Sequence, residues 1–282
     1  MNHLDLFSGI GGFKLACDWT WGKESNCVGF VEIDPFCGKV LKQHWPNVQI
    51  WTDVKTFSYE SLWYSMDKKV EVDLITGGFP CQDISIAGKG VGIEGKRSGL
   101  WSEFKRIISE VRPKFALIEN VPMLVHRGLG RVLSDLAKIG YDAEWQSISA
   151  AEVGAWHKRE RIWIVAYPNR TGDRTSECRI NGNGEKEMRR DKSFLEPCRC
   201  GEIPYPNNSG LHRETVNSTE TRVNAQCRVG GCSWWATEPD VGRVAHGIPN
   251  RVDRLKGLGN SIVPQVAYII MQQIKNKLDI ND

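Results

Sequence analysis

The sequence predicts an α/β fold: a sheet built from strand–turn–helix units, interrupted late in the chain by a small, loop-rich inserted domain. Three observations carry this. Short apolar runs alternate with helical apolar patterns from the N-terminus to about residue 166. That periodicity fades between 167 and 242, where Asn, Gly, Arg, Thr and Ser dominate. From about 243 it returns as an amphipathic helix that needs an apolar surface to cover, and the large core lies in the N-terminal part. The expected division is therefore 1–166 plus 243–282 as one domain, with 167–242 inserted. A chain of 282 residues with 40% hydrophobic content can supply one full-sized core and a smaller appendage.

Leu4–Phe7 is a short strand candidate running into Ser8-Gly9-Ile10-Gly11-Gly12, after which Phe13, Leu15, Ala16 and Trp19 follow near-helical spacing. A second strand, Val28–Val31, ends in Glu32-Ile33-Asp34-Pro35. Glu32 lies twenty residues beyond Gly12, the distance at which a Rossmann-type unit places an acid on a ribose hydroxyl. A nucleoside-bearing cofactor fits this spacing. The turn is Gly-x-Gly-Gly, which argues against a dinucleotide, and a plain tight turn would explain the glycines alone equally well.

Asp53 sits near the end of a possible third strand, and Val70–Thr76 is a fourth. The fourth delivers Gly77-Gly78-Phe79-Pro80-Cys81-Gln82, a glycine-softened turn that presents one thiol. An arbitrary cysteine is more often core filler than nucleophile. A position at the carboxyl edge of an α/β sheet favours ligand contact. Ile84–Gly99 follows, with five glycines among Lys89, Lys96 and Arg97; it suits a loop that closes on an anion, or a solvated surface loop. Leu100, Phe104, Ile107, Ile108 and Val111 mark a helix that stops before Pro113.

Phe115–Ile118 is a buried strand ending in Glu119-Asn120-Val121-Pro122, so Glu119 faces the same edge as Cys81. Leu129, Val132, Leu133, Leu136 and Ile139 give another helix, closed by Gly140. Trp156-His157-Lys158-Arg159-Glu160-Arg161 then leads into the strand Ile162–Ala166. Arg159 and Arg161, two apart at a strand start, are expected on one face, although a charged flank is commonly just solvated. After the insert, Gly257-Leu258-Gly259-Asn260-Ser261 precedes a helix marked by Ile262, Val266, Ile269, Ile270 and Ile274, with Pro264 in its first turn.

Composition narrows the class. A formal charge of +3 is too small to imply nucleic acid by itself, and between Tyr167 and Asp240 eleven basic residues face eleven acidic ones. Any polyanion contact there depends on placement. Nine cysteines, an odd number, fit reduced thiols better than a disulfide framework. Five of them fall in the insert, Cys178, Cys198, Cys200, Cys227 and Cys232, without the Cys-x-x-Cys spacing typical of zinc sites. Tyr167-Pro168-Asn169 is echoed by Tyr205-Pro206-Asn207, either two related turn units or a coincidence of turn formers. No basic leader with an apolar stretch and no apolar run of about 18 residues is present. A cytoplasmic protein is expected.

Taken together, five segments in order resemble the cytosine-C5 DNA methyltransferases of bacteria and phages. Asp5-Leu6-Phe7-Ser8-Gly9-Ile10-Gly11-Gly12-Phe13 is similar to that family's first cofactor motif, and Gly78-Phe79-Pro80-Cys81-Gln82 to its nucleophile motif. Glu119-Asn120-Val121 matches its acid motif, Arg159-Glu160-Arg161 its paired arginines, and Gly259-Asn260-Ser261 its last motif. One departure is His157, where members often carry Gln. The resemblance implies a Rossmann-like S-adenosylmethionine-dependent domain, with 167–242 as the target-recognition domain. It assigns Cys81 as the nucleophile that adds to cytosine C6, Glu119 as the acid at N3 and the exocyclic amine, and Arg159 and Arg161 as holding the base and adjacent phosphate. S-adenosyl-L-methionine would lie against Phe7, Ser8, Gly9, Gly11, Gly12, Glu32, Ile33, Asp53, Val54, Pro80, Leu100, Asn260 and Ser261. Gln82, Ser85, Lys89, Lys96 and Arg97 would meet DNA around the flipped base. No metal is implied. The partners expected are double-stranded DNA and, acting separately, a cognate restriction endonuclease; the protein is expected to be a monomer. Rival readings are an RNA (tRNA) cytosine-C5 methyltransferase with the same residue set, a catalytically silent DNA-binding protein, and a nicotinamide oxidoreductase. The missing dinucleotide fingerprint disfavours the last.

Overall fold

The first apolar run forms β1 (Asn2–Leu6) at the centre of the sheet in a computed structural model, which describes residues 1–80, 99–169 and 249–281. The chain continues through α1 (Gly12–Trp21), β2 (Asn26–Val31), α2 (Pro35–His44), β3 (Ile50–Trp51), α3 (Tyr59–Met66) and β4 (Leu74–Gly78). Next come α4 (Leu100–Val111), β5 (Phe115–Asn120), α5 (Leu124–Arg127), α6 (Leu129–Lys138), β6 (Tyr141–Ile148) and β7 (Arg161–Pro168). Helices α7 (Arg251–Asn260) and α8 (Pro264–Asn281) follow the insert.

The seven described strands lie in the order β3-β2-β1-β4-β5-β7-β6. The first five are parallel; β7 runs antiparallel to β5 and β6 antiparallel to β7. The order of winding reverses between β1 and β4. In open α/β sheets the crevice outside the carboxyl ends at such a reversal is where ligands bind. Four motif-bearing strands, β1, β2, β4 and β5, end at that edge.

Alternation along the strands divides the apolar core into two layers. Leu4, Leu6, Ile75, Ala116, Ile118, Ile162 and Ile164 face one way, onto Phe104, Ile108, Val132 and Leu136 of α4 and α6. Leu74, Phe115, Leu117, Trp163 and Val165 face the other way, onto α1 and α8. Helix α8 contributes Val266, Ala267, Ile270, Met271 and Ile274, a helical stripe that meets Phe13, Ala16 and Cys17 of α1. The two ends of the chain thus share one core layer.

One polar chain is buried in the centre of the sheet. Thr76 Oγ1 donates to Asp5 Oδ1 at 2.7 Å and lies 2.7 Å from His3 Nε2. Burial pushes the Asp5 carboxyl up and holds His3 neutral, with its pKa lowered to about 3. The chain links β1 to β4 beneath the edge where both strands end.

Several boundaries differ from the sequence expectation. β4 starts at Leu74, and Gly77 and Gly78 belong to the strand, paired with Leu6, Ile118 and Glu119. Val70 and Val72 are buried without joining the ladder. β6 was absent from the expectation because it is an edge strand of mixed polar and apolar residues, mostly half-buried. β7 extends to Pro168, paired with Tyr141, so the sheet includes the first two residues of the segment 167–242. Helix α7 runs through two glycines because Gly257 packs against the β1–α1 turn: a methyl there would lie 3.3 Å from Ile10. No described helix is long and apolar enough to cross a membrane.

Candidate active site

The β1–α1 turn owes its shape to backbone conformations and space that few residues provide. Phe7, Gly9 and Gly11 have positive φ values of 53°, 55° and 87°, the left-handed region that costs a residue with a Cβ. Phe7 is held there by stacking on Phe104, with centroids 6.1 Å apart. Ser8 spends its hydroxyl on the Asp5 carbonyl at 2.7 Å. Gly11 lies under the Trp45 ring and Gly12 under Ile262; a methyl on either would come within 2.7 Å of those side chains. Gly9 alone of the three faces open space. The glycines predicted to meet a cofactor therefore divide: Gly11 and Gly12 let the turn close on its own protein, and Gly9 leaves its surface accessible.

Glu32 stands just past β2 and reaches across to this turn. Its Oε2 accepts from Gly9 N–H and its Oε1 from Asp34 N–H, each at 2.7 Å. Burial raises the carboxyl's pKa, and these amide bonds oppose the rise. A carboxylate has about four acceptor positions, so two amides leave room for hydroxyl donors. Next to it Ile33 is 73% exposed. Asp34 caps α2, accepting from Phe36 and Cys37, and takes Lys256 Nζ at 2.5 Å, which lowers its pKa. That ion pair ties α7 to the mouth of the turn. Asp53 turns Oδ1 onto the Lys55 amide at 2.9 Å. Val54 is buried in the core, Leu100 opens α4 half-buried, and Pro80 lies half-buried just beyond β4.

The acid lies two strands from β1, on β5. Glu119 is the next-to-last residue of β5, registered against Gly78 of β4 and Trp163 of β7. A methyl on Gly78 would sit 2.7 Å from Glu119 Oε2, so the second glycine of the pair makes room for this carboxylate. Arg161, the first residue of β7, places Nε 3.0 Å from Glu119 Oε1. The Glu119 side chain is only 12% exposed. Burial pushes its pKa up to about 6, against the opposing pull of Arg161 and then Arg159. Asn120 secures the neighbouring chain: its Nδ2 donates to Phe79 O at 3.1 Å and its Oδ1 accepts from Val121 N–H at 2.9 Å. Gly78 and Asn120 are thus part of the site's construction. Both stood inside recognised motifs, but spacing alone does not show that a glycine is vacant for a carboxylate or that an amide clamps a carbonyl 41 residues away.

The two arginines, expected to share one face, diverge. Arg161 lies in the ladder, whereas Arg159 precedes it with φ 31°. Arg159 Nη2 donates to Gly259 O at 2.9 Å and to Ser261 O. Asn260 is exposed, and Ser261 directs its hydroxyl to Leu258 O at 3.1 Å. A cleft of about 550 Å³ opens between His157, Arg159 and Arg161 on one side and Leu258, Ser261, Ile262, Val263, Pro264 and Gln265 on the other. Cys81, Gln82, Ser85, Lys89, Lys96 and Arg97 lie outside the described residues, as do the five cysteines of the insert.

A sequence model of the C-5 cytosine-specific DNA methylase family matches residues 1–224. The type II methyltransferase M.CviJI of Paramecium bursaria Chlorella virus IL3A is 36% identical over 164 residues, 58% of this chain and 42% of that protein. M.DsaV of Dactylococcopsis salina is 32% identical over 174 residues, 60% of this chain and 46% of that protein. The chain thus matches less than half the length of these curated relatives. The crystal structure of S. pombe Dnmt2 methyltransferase superposes with a TM-score of 0.50 over 66% of this chain and 58% of that one, at 21% identity, a likeness of fold alone. With its model matched over most of the sequence, the chain belongs to the C-5 cytosine-specific DNA methylase family.

Proposed function

We propose that this protein is a DNA (cytosine-5-)-methyltransferase that uses S-adenosyl-L-methionine to methylate C5 of a cytosine flipped out of duplex DNA. The observation that carries the reading is the Glu119–Arg161 pair set over Gly78. It lies at the end of the strand beside the one that continues through Phe79 and Pro80 to Cys81. A buried acid with a pKa near 6 can hold or release a proton at neutral pH, as general acid–base work requires.

Cytosine C5 is too weak a nucleophile to take a methyl group unaided. Addition of the Cys81 sulfur to C6 breaks the C5–C6 double bond, and its electron pair is released toward C5 and the ring. Glu119 delivers a proton to N3 and accepts from the exocyclic amine, which favours that addition. Arg161 fixes the carboxyl's orientation and offers its remaining N–H groups to the base. After methylation, the C5 proton leaves and the C6–S bond breaks, restoring the aromatic ring and the free thiolate. A cysteine at its ordinary pKa of about 8.5 is only a few per cent thiolate at pH 7, so nearby cations aid the attack.

The residues of the turn fit the cofactor. Glu32 retains acceptor capacity for ribose hydroxyls, exposed Ile33 offers an apolar surface for adenine, and Gly9 keeps its face open. Phe7, Ser8, Gly11, Gly12, Asp53, Val54, Pro80, Leu100, Asn260 and Ser261 complete the proposed surroundings, several by shaping the turn. When bound, S-adenosylmethionine supplies an electrophilic methyl group on a sulfonium. Duplex DNA would be read by residues 167–242 and met by Gln82, Ser85, Lys89, Lys96 and Arg97. The protein is proposed to act as a cytoplasmic monomer, with any cognate restriction endonuclease separate.

The test is transfer of a tritiated methyl group from S-adenosylmethionine to duplex DNA and, in parallel, to tRNA. Label in DNA, recovered as 5-methylcytosine, is expected; label confined to tRNA would sink the reading. Bisulfite sequencing of DNA from cells expressing the protein would then report the sequence context.

A further inference from the structure

We infer that Arg159 is a positioning residue, fastening the cofactor-side turn Gly259–Ser261 to the acid pocket, rather than a second contact to the DNA phosphate. The inference rests on the proposed function and deepens it. Two bonds from one guanidinium nitrogen join segments a hundred residues apart: Arg159 Nη2 donates to Gly259 O at 2.9 Å and to Ser261 O. Both carbonyls lie at the C-terminal end of α7, where helix carbonyls lack partners within the helix and the negative end of the dipole favours a cation. A guanidinium is suited to this because its donors are held in a fixed fork.

The anchor is fixed from both sides. Lys158 O accepts from Ala150 N–H and from Ser149 Oγ, each at 2.7 Å. Between that anchor and the α7 carbonyls the backbone of Arg159 takes φ 31°, a conformation a non-glycine residue keeps only where its surroundings over-determine it. Beyond Ser261 the chain plunges into the core at Ile262, whose side chain covers Gly12 of the cofactor turn. The position of Asn260 and Ser261 against the β1–α1 turn therefore depends on a residue that also faces Glu119, whose carboxyl feels its charge. Arg161 takes the other task, since its Nε meets Glu119 directly. The cleft between the two sets of residues is spanned by Arg159.

The full chain and its Arg159→Ala, Arg159→Lys and Arg161→Lys variants would be titrated with S-adenosylmethionine by calorimetry in the absence of DNA. Each would also be titrated with duplex DNA containing the target site, and thermal midpoints would be recorded. Arg159→Ala is expected to weaken cofactor binding about tenfold or more, as loss of two charge-assisted hydrogen bonds predicts, with DNA affinity within about threefold. Arg159→Lys, which keeps the cation without the fork, should fall between, and Arg161→Lys should bind cofactor like the wild type. Cofactor binding unchanged in Arg159→Ala, or a loss that falls on DNA instead, would overturn the inference. So would failure of both Arg159 variants to fold while Arg161→Lys folds, which would make the residue a general structural one. A wild-type protein that binds no S-adenosylmethionine would overturn the proposed function, and this inference with it.

Discussion

Glu119 is where the chemistry of a single residue is most exposed to test. Its pKa of about 6 arises mainly from burial, so the charged form is the disfavoured one in the folded protein. The unfolded chain ionises near 4.5. Between those values the native state holds a proton that the unfolded state has released, so the contribution of Glu119 to stability falls as pH rises from about 4.5 to 6 and is level on either side. A shift of this size corresponds to about 2 kcal/mol. Chemical denaturation of the wild type and of Glu119→Gln across that window should differ by this slope. Arg161→Met, which takes away the first opposing charge, should drive the carboxyl's titration higher by infrared or NMR; a downward move would contradict the assignment. The residue type and its place at a strand end were legible from Glu119-Asn120-Val121. Its partner was not: nothing in the sequence separates Arg159 from Arg161, whereas in the structure Arg161 meets Glu119 and Arg159, with its positive φ, turns to the Gly259 and Ser261 carbonyls.

At the scale of elements, two adjacent glycines in β4 make opposite predictions. A methyl on Gly77 would meet the backbone carbonyl of Leu6 at 2.5 Å and Phe104 at 2.7 Å. The Leu6 carbonyl cannot move without parting β1 from β4, and Phe104 is fully buried in the core, so Gly77→Ala should cost about 1–3 kcal/mol of stability in a denaturant titration. A methyl on Gly78 is crowded by the end of the Glu119 side chain alone, at 2.7 Å, which can rotate away; the Glu119 carbonyl at 3.6 Å is in ordinary contact. Gly78→Ala should therefore fold with a near-normal unfolding midpoint and lose methylation by about 100-fold, through displacement of the acid. Equal activity in Gly78→Ala would show that the carboxylate's present position is not the working one. The two glycines were expected to form a flexible turn, because paired glycines after an apolar run usually mark one. The sheet instead uses them for close approach, a need created by neighbours far away in sequence. The strand–turn–helix order was legible for the opposite reason: its apolar periodicity is local. Edge strand β6 and glycine-bearing α7 lack that periodicity and were missed or left unassigned.

Over the whole molecule, the chain's two ends complete one core, and the site sits where they meet. Ile274 of α8 is fully buried against the layer formed with α1, so Ile274→Ala should destabilise the protein by about 2–5 kcal/mol. Because α8 follows directly from Ser261 and Ile262, the same change should also weaken S-adenosylmethionine binding; calorimetry on the folded variant at low temperature checks it. This architecture leaves residues 167–242 the proposed task of choosing the DNA sequence, while the α/β core performs the chemistry. In the proposed reaction Cys81 forms a covalent bond to cytosine with Glu119 as its acid. Its most direct measurement uses duplex DNA in which the target cytosine carries fluorine at C5, since fluorine cannot leave as a proton does and the adduct persists after methyl transfer. Intact mass spectrometry with S-adenosylmethionine present should find protein joined to DNA, peptide mapping should place the bond on Cys81, and Cys81→Ser should abolish it while still binding cofactor. An adduct on another residue, or methylation that persists in Cys81→Ser, would rule out Cys81 as the nucleophile.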